Sequence, residues 1–245
     1  MKITVLGFWG AYPKGGEATS GYLLQTAQHN ILLDLGSGVL SKLFCRLQPE
    51  ELDGVFISHF HHDHSADLGC LLYACKNAKA FGRRVEPLPI HIPENAPQFP
   101  ELSKSDYAVG NVVAPDREVE IKGLKASFFK TYHEVCNLAV RIEYQSKTLV
   151  YTGDLGPKTD RGIVQFCRDA DLLICESSLF EREKGLFEGH LTTEEAAQLA
   201  AESGAKALLL THFPHVGDIN QMPVEAAKYY NGEIFQAGTE KVFAI

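Results

Sequence analysis

Between positions 59 and 64 the chain reads His59-Phe60-His61-His62-Asp63-His64, directly after the apolar run Val55-Phe56-Ile57. Imidazoles packed this closely repel one another when protonated. Buried neutral, they need partners for every ring nitrogen. A divalent cation answers both demands, because neutral imidazole and carboxylate are strong ligands for zinc-like ions. Spacing divides the ligands. Side chains two apart in an extended segment point the same way, so His59 and His61 can grip one ion. Asp63 and His64 begin a helix, turn away, and can grip a second. His62 points opposite to its neighbours and is read as a supporting residue. His29 and His91 lack such company and are read as structural, whereas His215 could line the rim near His212.

Those residues need a scaffold. Apolar runs at 2–8, 21–26 and 30–35, broken by Pro13, Gly15, Gly16 and Gly36, read as strands of a meander. A short helix fits 39–47, a buried strand fits 55–58, and a helix fits 63–79 with Leu68, Leu71, Leu72 and Cys75 on one face. Residues 86–119 hold six prolines and read as a loop-rich excursion, with a brief strand Ile90-His91-Ile92 and a short helix near 98–106. Further strands fit 124–130, 138–143, 148–152, 171–176, 206–210, 233–236 and 241–244. Helices fit 160–168, 193–202 and 223–230. Two strand-rich halves with helices suggest two packed sheets with helices outside.

Composition narrows the partners. The chain has 245 residues, 45% hydrophobic and 22% charged, with a net charge of −8. This is ordinary globular composition, and its acidic balance disfavours nucleic acid phosphates and anionic lipid. The short basic run Lys76, Lys79, Arg83, Arg84 reads as a solvated helix end. No stretch approaches the ~20 apolar residues of a membrane span, and the N-terminal apolar run is too short for a signal peptide. The six cysteines form no CxxC pair and read as buried reduced thiols, which points to the cytoplasm.

The pattern His59-x-His61-x-Asp63-His64 resembles the signature of the metallo-β-lactamase superfamily. That family places a third histidine, a bridging aspartate and a final histidine after later strands. Thr131-Tyr132-His133, Thr152-Gly153-Asp154 and Leu210-Thr211-His212 stand in this order, each after an apolar run. The resemblance implies an α+β, four-layer αββα sandwich of two mixed sheets flanked by helices, formed by residues 1–245 as one domain. It implies that His59, His61 and His133 hold one metal ion, that Asp63, His64 and His212 hold a second, and that Asp154 bridges them. The expected cofactor is two divalent ions, zinc first, with manganese or iron as alternatives. Asp63 would also orient the nucleophile or carry its proton.

A further segment, Gly189-His190-Leu191-Thr192, resembles the His-x-Thr element of the ribonuclease Z-like phosphodiesterase branch. There the histidine stabilises the phosphate transition state or protonates the leaving oxygen, which makes His190 a catalytic candidate. Thr192 or Thr193 reads as the N-cap of the helix that follows. Glu176, in Leu173-Ile174-Cys175-Glu176-Ser177-Ser178, could orient His190. Ribonuclease Z enzymes carry a protruding tRNA-gripping arm between the third histidine and the bridging aspartate. Here only a hairpin's length of chain separates His133 from Asp154, so tRNA is not the expected substrate. A smaller phosphodiester fits better: a cyclic nucleotide, a cyclic ribose phosphate or a short oligonucleotide. A homodimer would suit the branch, although no interface motif is visible. The competing readings are hydrolysis of a lactone, thioester or β-lactam by the same chemistry, a di-iron redox protein, and a non-catalytic metal-binding protein.

Overall fold

The computed structural model describes residues 1–94, 102 and 105–245. The first half supplies β1 (Lys2–Gly7), β2 (Gly21–Gln25), β3 (Asn30–Leu33), β4 (Gly54–Phe56), β5 (Leu88–Pro93) and β6 (Ala108–Val113). The second supplies β7 (Glu118–Ile121), β8 (Leu124–Lys130), β9 (Leu138–Tyr144), β10 (Lys147–Tyr151), β11 (Leu172–Glu176), β12 (Ala207–Thr211), β13 (Glu233–Gln236) and β14 (Val242–Ala244). They form two seven-stranded sheets, ordered β14-β1-β2-β3-β4-β5-β6 and β13-β12-β11-β10-β9-β8-β7. Each sheet is antiparallel on one side and parallel on the other: β2–β3 and β9–β10 are antiparallel, β3–β4 and β10–β11 parallel.

Strand periodicity builds the layers. In the first sheet Ile3, Val5, Leu24, Ile31, Leu33 and Phe56 point towards the second sheet and join Val140, Leu149 and Leu173 in one core. Their alternate neighbours Leu6, Leu23, Leu32, Val55 and Ile57 face the other way, onto Leu71, Leu72 and Cys75 of the helix Leu68–Ala80. Burial on both faces explains why these strands read as continuous apolar runs. The helix Thr193–Ser203 covers the outer face of the second sheet. Its N-cap is Thr192, whose hydroxyl accepts the Glu195 N–H while the Glu195 carboxylate accepts the Thr192 N–H.

Three expectations change. The helix expected over 63–79 is two helices, His62–Ser65 and Leu68–Ala80. The carbonyls and amide that would continue it have other partners: Asp63 O accepts Ser20 N–H, His64 O accepts Leu35 N–H, and Asp67 N–H donates to Leu35 O. The Pro-rich stretch is more regular than its prolines suggest, since β5 and β6 pair in parallel register from Leu88↔Ala108 to Pro93↔Val113. Leu88 N–H donates to Tyr107 O, so Pro89 and Pro93 turn their nitrogens towards β4. There β5 pairs only through Ile90 and His91, and the missing N–H groups cost no ladder bond. The short helix expected near 98–106 lies largely outside the described residues. Finally, Cys75, Cys167 and Cys175 are buried, but Cys70 is exposed on the helix Leu68–Ala80 and Cys45 in the turn after the helix Val39–Leu43; all six thiols are free.

The basic run is a local tie. Arg84 donates to the carbonyls of Pro49 and Leu52, and Lys79 donates to Val85 O. Among the described residues, no helix is long and apolar enough to cross a membrane.

Candidate metal centre

The chemistry-bearing residues gather at one edge of the sandwich, where strands end. His59 and His61 follow β4, His133 follows β8, Asp154 follows β10, and His212 follows β12 directly. Their donor atoms form two sets that share Asp154. In the first, His133 Nε2 lies 3.1 Å from His61 Nδ1 and 3.6 Å from Asp154 Oδ2, and His59 Nε2 is also 3.6 Å from Asp154 Oδ2. In the second, His212 Nε2 lies 3.3 Å from His64 Nε2 and 3.1 Å from Asp63 Oδ2. Asp154 Oδ1 is 3.3 Å from His64 Nε2 and 3.5 Å from His212 Nε2. One carboxylate oxygen thus faces each set. The neighbours His59 and His64 fall on opposite sides of Asp154, and all seven expected ligands belong to one set or the other.

Whether these sets suit a cation is decided by where the ring protons go. His64 Nδ1–H donates to Asp34 Oδ2 at 2.7 Å. His133 Nδ1–H donates to Gly189 O at 3.0 Å. Ser58 Oγ donates to Asp34 Oδ2, so it accepts from His59 Nδ1–H at 3.1 Å. Ser178 Oγ donates to Glu176 Oε2, so it accepts from His212 Nδ1–H at 2.7 Å. Each of these four rings therefore turns an Nε2 lone pair inward, where lone pairs and carboxylate oxygens face one another. His59 Nε2 and Asp154 Oδ1 are buried without a hydrogen-bond partner. Edges of 3.1–3.6 Å between donors match those of a tetrahedron around an ion with ligands at about 2.0–2.1 Å. The residues present fit two divalent cations, one on each side of Asp154.

With protein groups alone, electrostatics keep His59 neutral but favour a proton on His64, at the position a cation would take. Burial, then the His64 charge, pushes the His59 pKa well down, keeping it a neutral ligand. Burial also lowers His61, aided by His133. Burial opposes ionisation of Asp63 and Asp154, yet the surrounding imidazoles hold both carboxyls below the usual range. Burial works against protonating His64 too, but Asp154 and Asp34 on either side raise it strongly.

Backbone fixes the acids. Ala11 N–H donates to Asp63 Oδ2 at 2.8 Å. Asp154 N–H donates to Asn137 Oδ1, while its carbonyl accepts the Thr131 hydroxyl at 2.8 Å. Gly36 lies so close to Asp63 that a Cβ there would fall 2.0 Å from the Asp63 carbonyl oxygen. His215 is neither a donor-set member nor a cleft residue. It stacks between Trp9 and Tyr12 and bonds the Tyr12 carbonyl, steadying the segment that carries Ala11. His62 is exposed, and His29 is held by Thr26 and Ile121 O.

His190 stands beside both sets, its ring 5.5 Å from His212 and 5.2 Å from His133. Its Nδ1 lies 3.0 Å from Glu176 Oε1, the carboxylate that could orient it. Burial disfavours its charge, but Glu176 and then Asp154 outweigh this and raise its pKa to about 9. Glu176 also reaches His212 through Ser178, a link the sequence did not reveal. Asp34 was likewise missed. Its only signal was an ionisable residue between Leu33 and Leu35 in an apolar run. A cleft of about 780 Å³ opens over His133 and His190, walled by Tyr132, Glu134 and the segment Leu186–Gly189.

The family Beta-lactamase superfamily domain matches residues 29–213, and the chain belongs to the metallo-β-lactamase superfamily. It is similar to Probable metallo-hydrolase YhfI of Bacillus subtilis, with 40% identity over 96% of each chain. The crystal structure of that protein superposes with a TM-score of 0.94 at 38% identity, covering 99% of this chain and 98% of the other. Ribonuclease Z of Protochlamydia amoebophila is 25% identical over 99% of this chain and 92% of its own. Human tRNase Z, short form, shares the fold, with a TM-score of 0.77 at 22% identity over 100% of this chain and 99% of the other. The relatives it matches thus include a probable metallo-hydrolase and ribonuclease Z enzymes.

Proposed function

We propose that the chain is a dinuclear-metal phosphodiesterase acting on a small or cyclic phosphodiester or a nucleic-acid fragment. In this reading His59, His61 and His133 would hold one ion and Asp63, His64 and His212 the other, with Asp154 shared between the two sets. The observation that carries it is the outward donation of Nδ1–H by His59, His64, His133 and His212. This leaves paired sets of inward lone pairs on either side of one carboxylate. Zinc suits these nitrogen and oxygen donors, as do manganese and iron. When bound, such cations supply Lewis acidity toward a phosphoryl oxygen and make water nucleophilic at neutral pH.

The remaining work falls to the protein's own groups. Asp63, held by Ala11 N–H, is placed to orient water or take its proton. Glu176 holds His190 by Nδ1, which leaves the ring's other nitrogen for the cleft that His190 lines. His190 then donates a proton to the departing oxygen. The link from β9 to β10 is a short hairpin turn, Gln145-Ser146, with no room for a tRNA-gripping arm. That supports a small substrate.

The test is turnover of bis-p-nitrophenyl phosphate by the metal-loaded protein beside a panel of lactones and thioesters. The reading expects the phosphodiester to be hydrolysed and the variant Asp154→Ala to be inactive. Hydrolysis confined to the carbonyl substrates would overturn it.

A further inference from the structure

The cleft above His133 and His190 has a wall whose chemistry the phosphodiester group alone does not explain. Its volume of about 780 Å³ exceeds what a phosphodiester fills and falls in the range of sites that enclose a whole small molecule. Leu186, Phe187 and Tyr132 line it with 62%, 57% and 40% of their surfaces exposed. Large apolar groups left open beside a polar site call for a flat, apolar partner.

Charge sharpens the choice. Among the described residues lining the cleft are two acids, Glu134 and Glu188, and no lysine or arginine, and the His190 imidazole is already engaged by Glu176. Lys158 is engaged with Glu188 at 2.7 Å and lies 5.4 Å from the Tyr132 ring. Recognition of a second phosphate ordinarily uses Arg or Lys. Here it would meet carboxylates instead.

We infer that the substrate is a singly charged phosphodiester bearing a planar ring, as in a nucleoside cyclic phosphate. Phe187 and Tyr132 receive the ring, and Glu134 and Glu188 turn away molecules with an additional phosphate. This rests on the phosphodiesterase reading above and narrows its substrate class. Polynucleotides and phosphorylated sugar cyclic phosphates are the members of that class it excludes. The hydrolysis is balanced by water alone: one P–O bond forms and one breaks, and the leaving oxygen takes the proton.

The test measures kcat/KM of the metal-loaded full chain at low salt on three cyclic diesters. These are adenosine 2′,3′-cyclic phosphate, the same compound with a 5′-phosphate, and glycerol cyclic phosphate. The wild type is expected to prefer the first over the second by about tenfold, the scale of one or two exposed charge repulsions. Glu134→Lys should shrink that ratio severalfold. Phe187→Ala should lower the preference for the first over the third by about tenfold, the usual loss of one base–aromatic stack. Both residues are exposed, so melting temperatures should hold. A wild type that favours the 5′-phosphorylated or ring-free compound, or ratios that neither variant moves, would overturn the inference. If all three compounds are inert while bis-p-nitrophenyl phosphate is hydrolysed, the substrate class is wrong. If that diester is inert too, the phosphodiesterase reading itself fails.

Discussion

His64 Nδ1 and Asp34 Oδ2 meet at 2.7 Å, both side chains fully buried, on the far side of the imidazole from the nitrogen that faces Asp154. The same Asp34 carboxylate accepts the Ser58 N–H, the Ser58 hydroxyl and the Tyr151 hydroxyl. One acid after β3 therefore fixes the tautomer of His64 directly and the ring of His59 through Ser58. A charged partner behind a ligating imidazole raises its basicity and locks its direction. Asp34→Asn should lower metal affinity about 10- to 100-fold, read by competition with a chromogenic chelator. Unchanged affinity would remove Asp34 from the account.

His190 carries the proton in the proposed reaction and belongs to neither main donor set. His190→Ala should leave metal content intact and reduce kcat by about 10²–10⁴-fold, with KM changing much less. Equal turnover in variant and wild type would take His190 out of the mechanism, and loss of metal would reassign it as a ligand.

Ser178 separates the two tasks of Glu176. Its hydroxyl links Glu176 to His212, whereas His190 bonds Glu176 directly. Ser178→Ala is expected to weaken metal binding roughly tenfold by freeing His212. Glu176→Gln should do this and also depress kcat at saturating metal. Indistinguishable behaviour of the two variants at saturating metal would show that Glu176 acts on His212 alone.

His91 offers a test of burial away from the centre. It stacks on Phe56 with ring centroids 4.5 Å apart, and neither ring nitrogen has a partner. Burial pushes its pKa down from 6.5 to about 4. The unfolded chain binds this proton more readily, so its contribution to stability is complete above pH 6.5 and declines as pH falls towards 4. The full loss approaches about 3 kcal/mol. His91→Phe should flatten that part of the stability curve, measured by urea unfolding between pH 7 and pH 4. Parallel curves for variant and wild type would contradict the assignment.

Much of this was legible because strand periodicity and ligand spacing are local. The run from Val55 to His64 announced a buried strand with a histidine cluster at its end, and the resemblance picked out His133, Asp154 and His212, which the fold brings beside that cluster. What stayed hidden depended on distant partners. Asp34 looks like any polar residue until the fold brings Ser58, His64 and Tyr151 around it. The break at Ala66 and Asp67 could not be seen either, since it follows from bonds to Ser20 and Leu35. The prolines of 86–119 suggested loops, but Pro89 and Pro93 sit in β5 at positions outside its pairing with β4. Exposure of Cys70 likewise depended on which face of its helix meets the sheet.

The central claim is that Asp154 stands between two cations, and anomalous diffraction from metal-loaded crystals tests it most directly. Two peaks are predicted, one amid His59, His61 and His133, the other amid Asp63, His64 and His212, each next to a different oxygen of Asp154. Absence of anomalous signal, or peaks away from Asp154, would contradict the account.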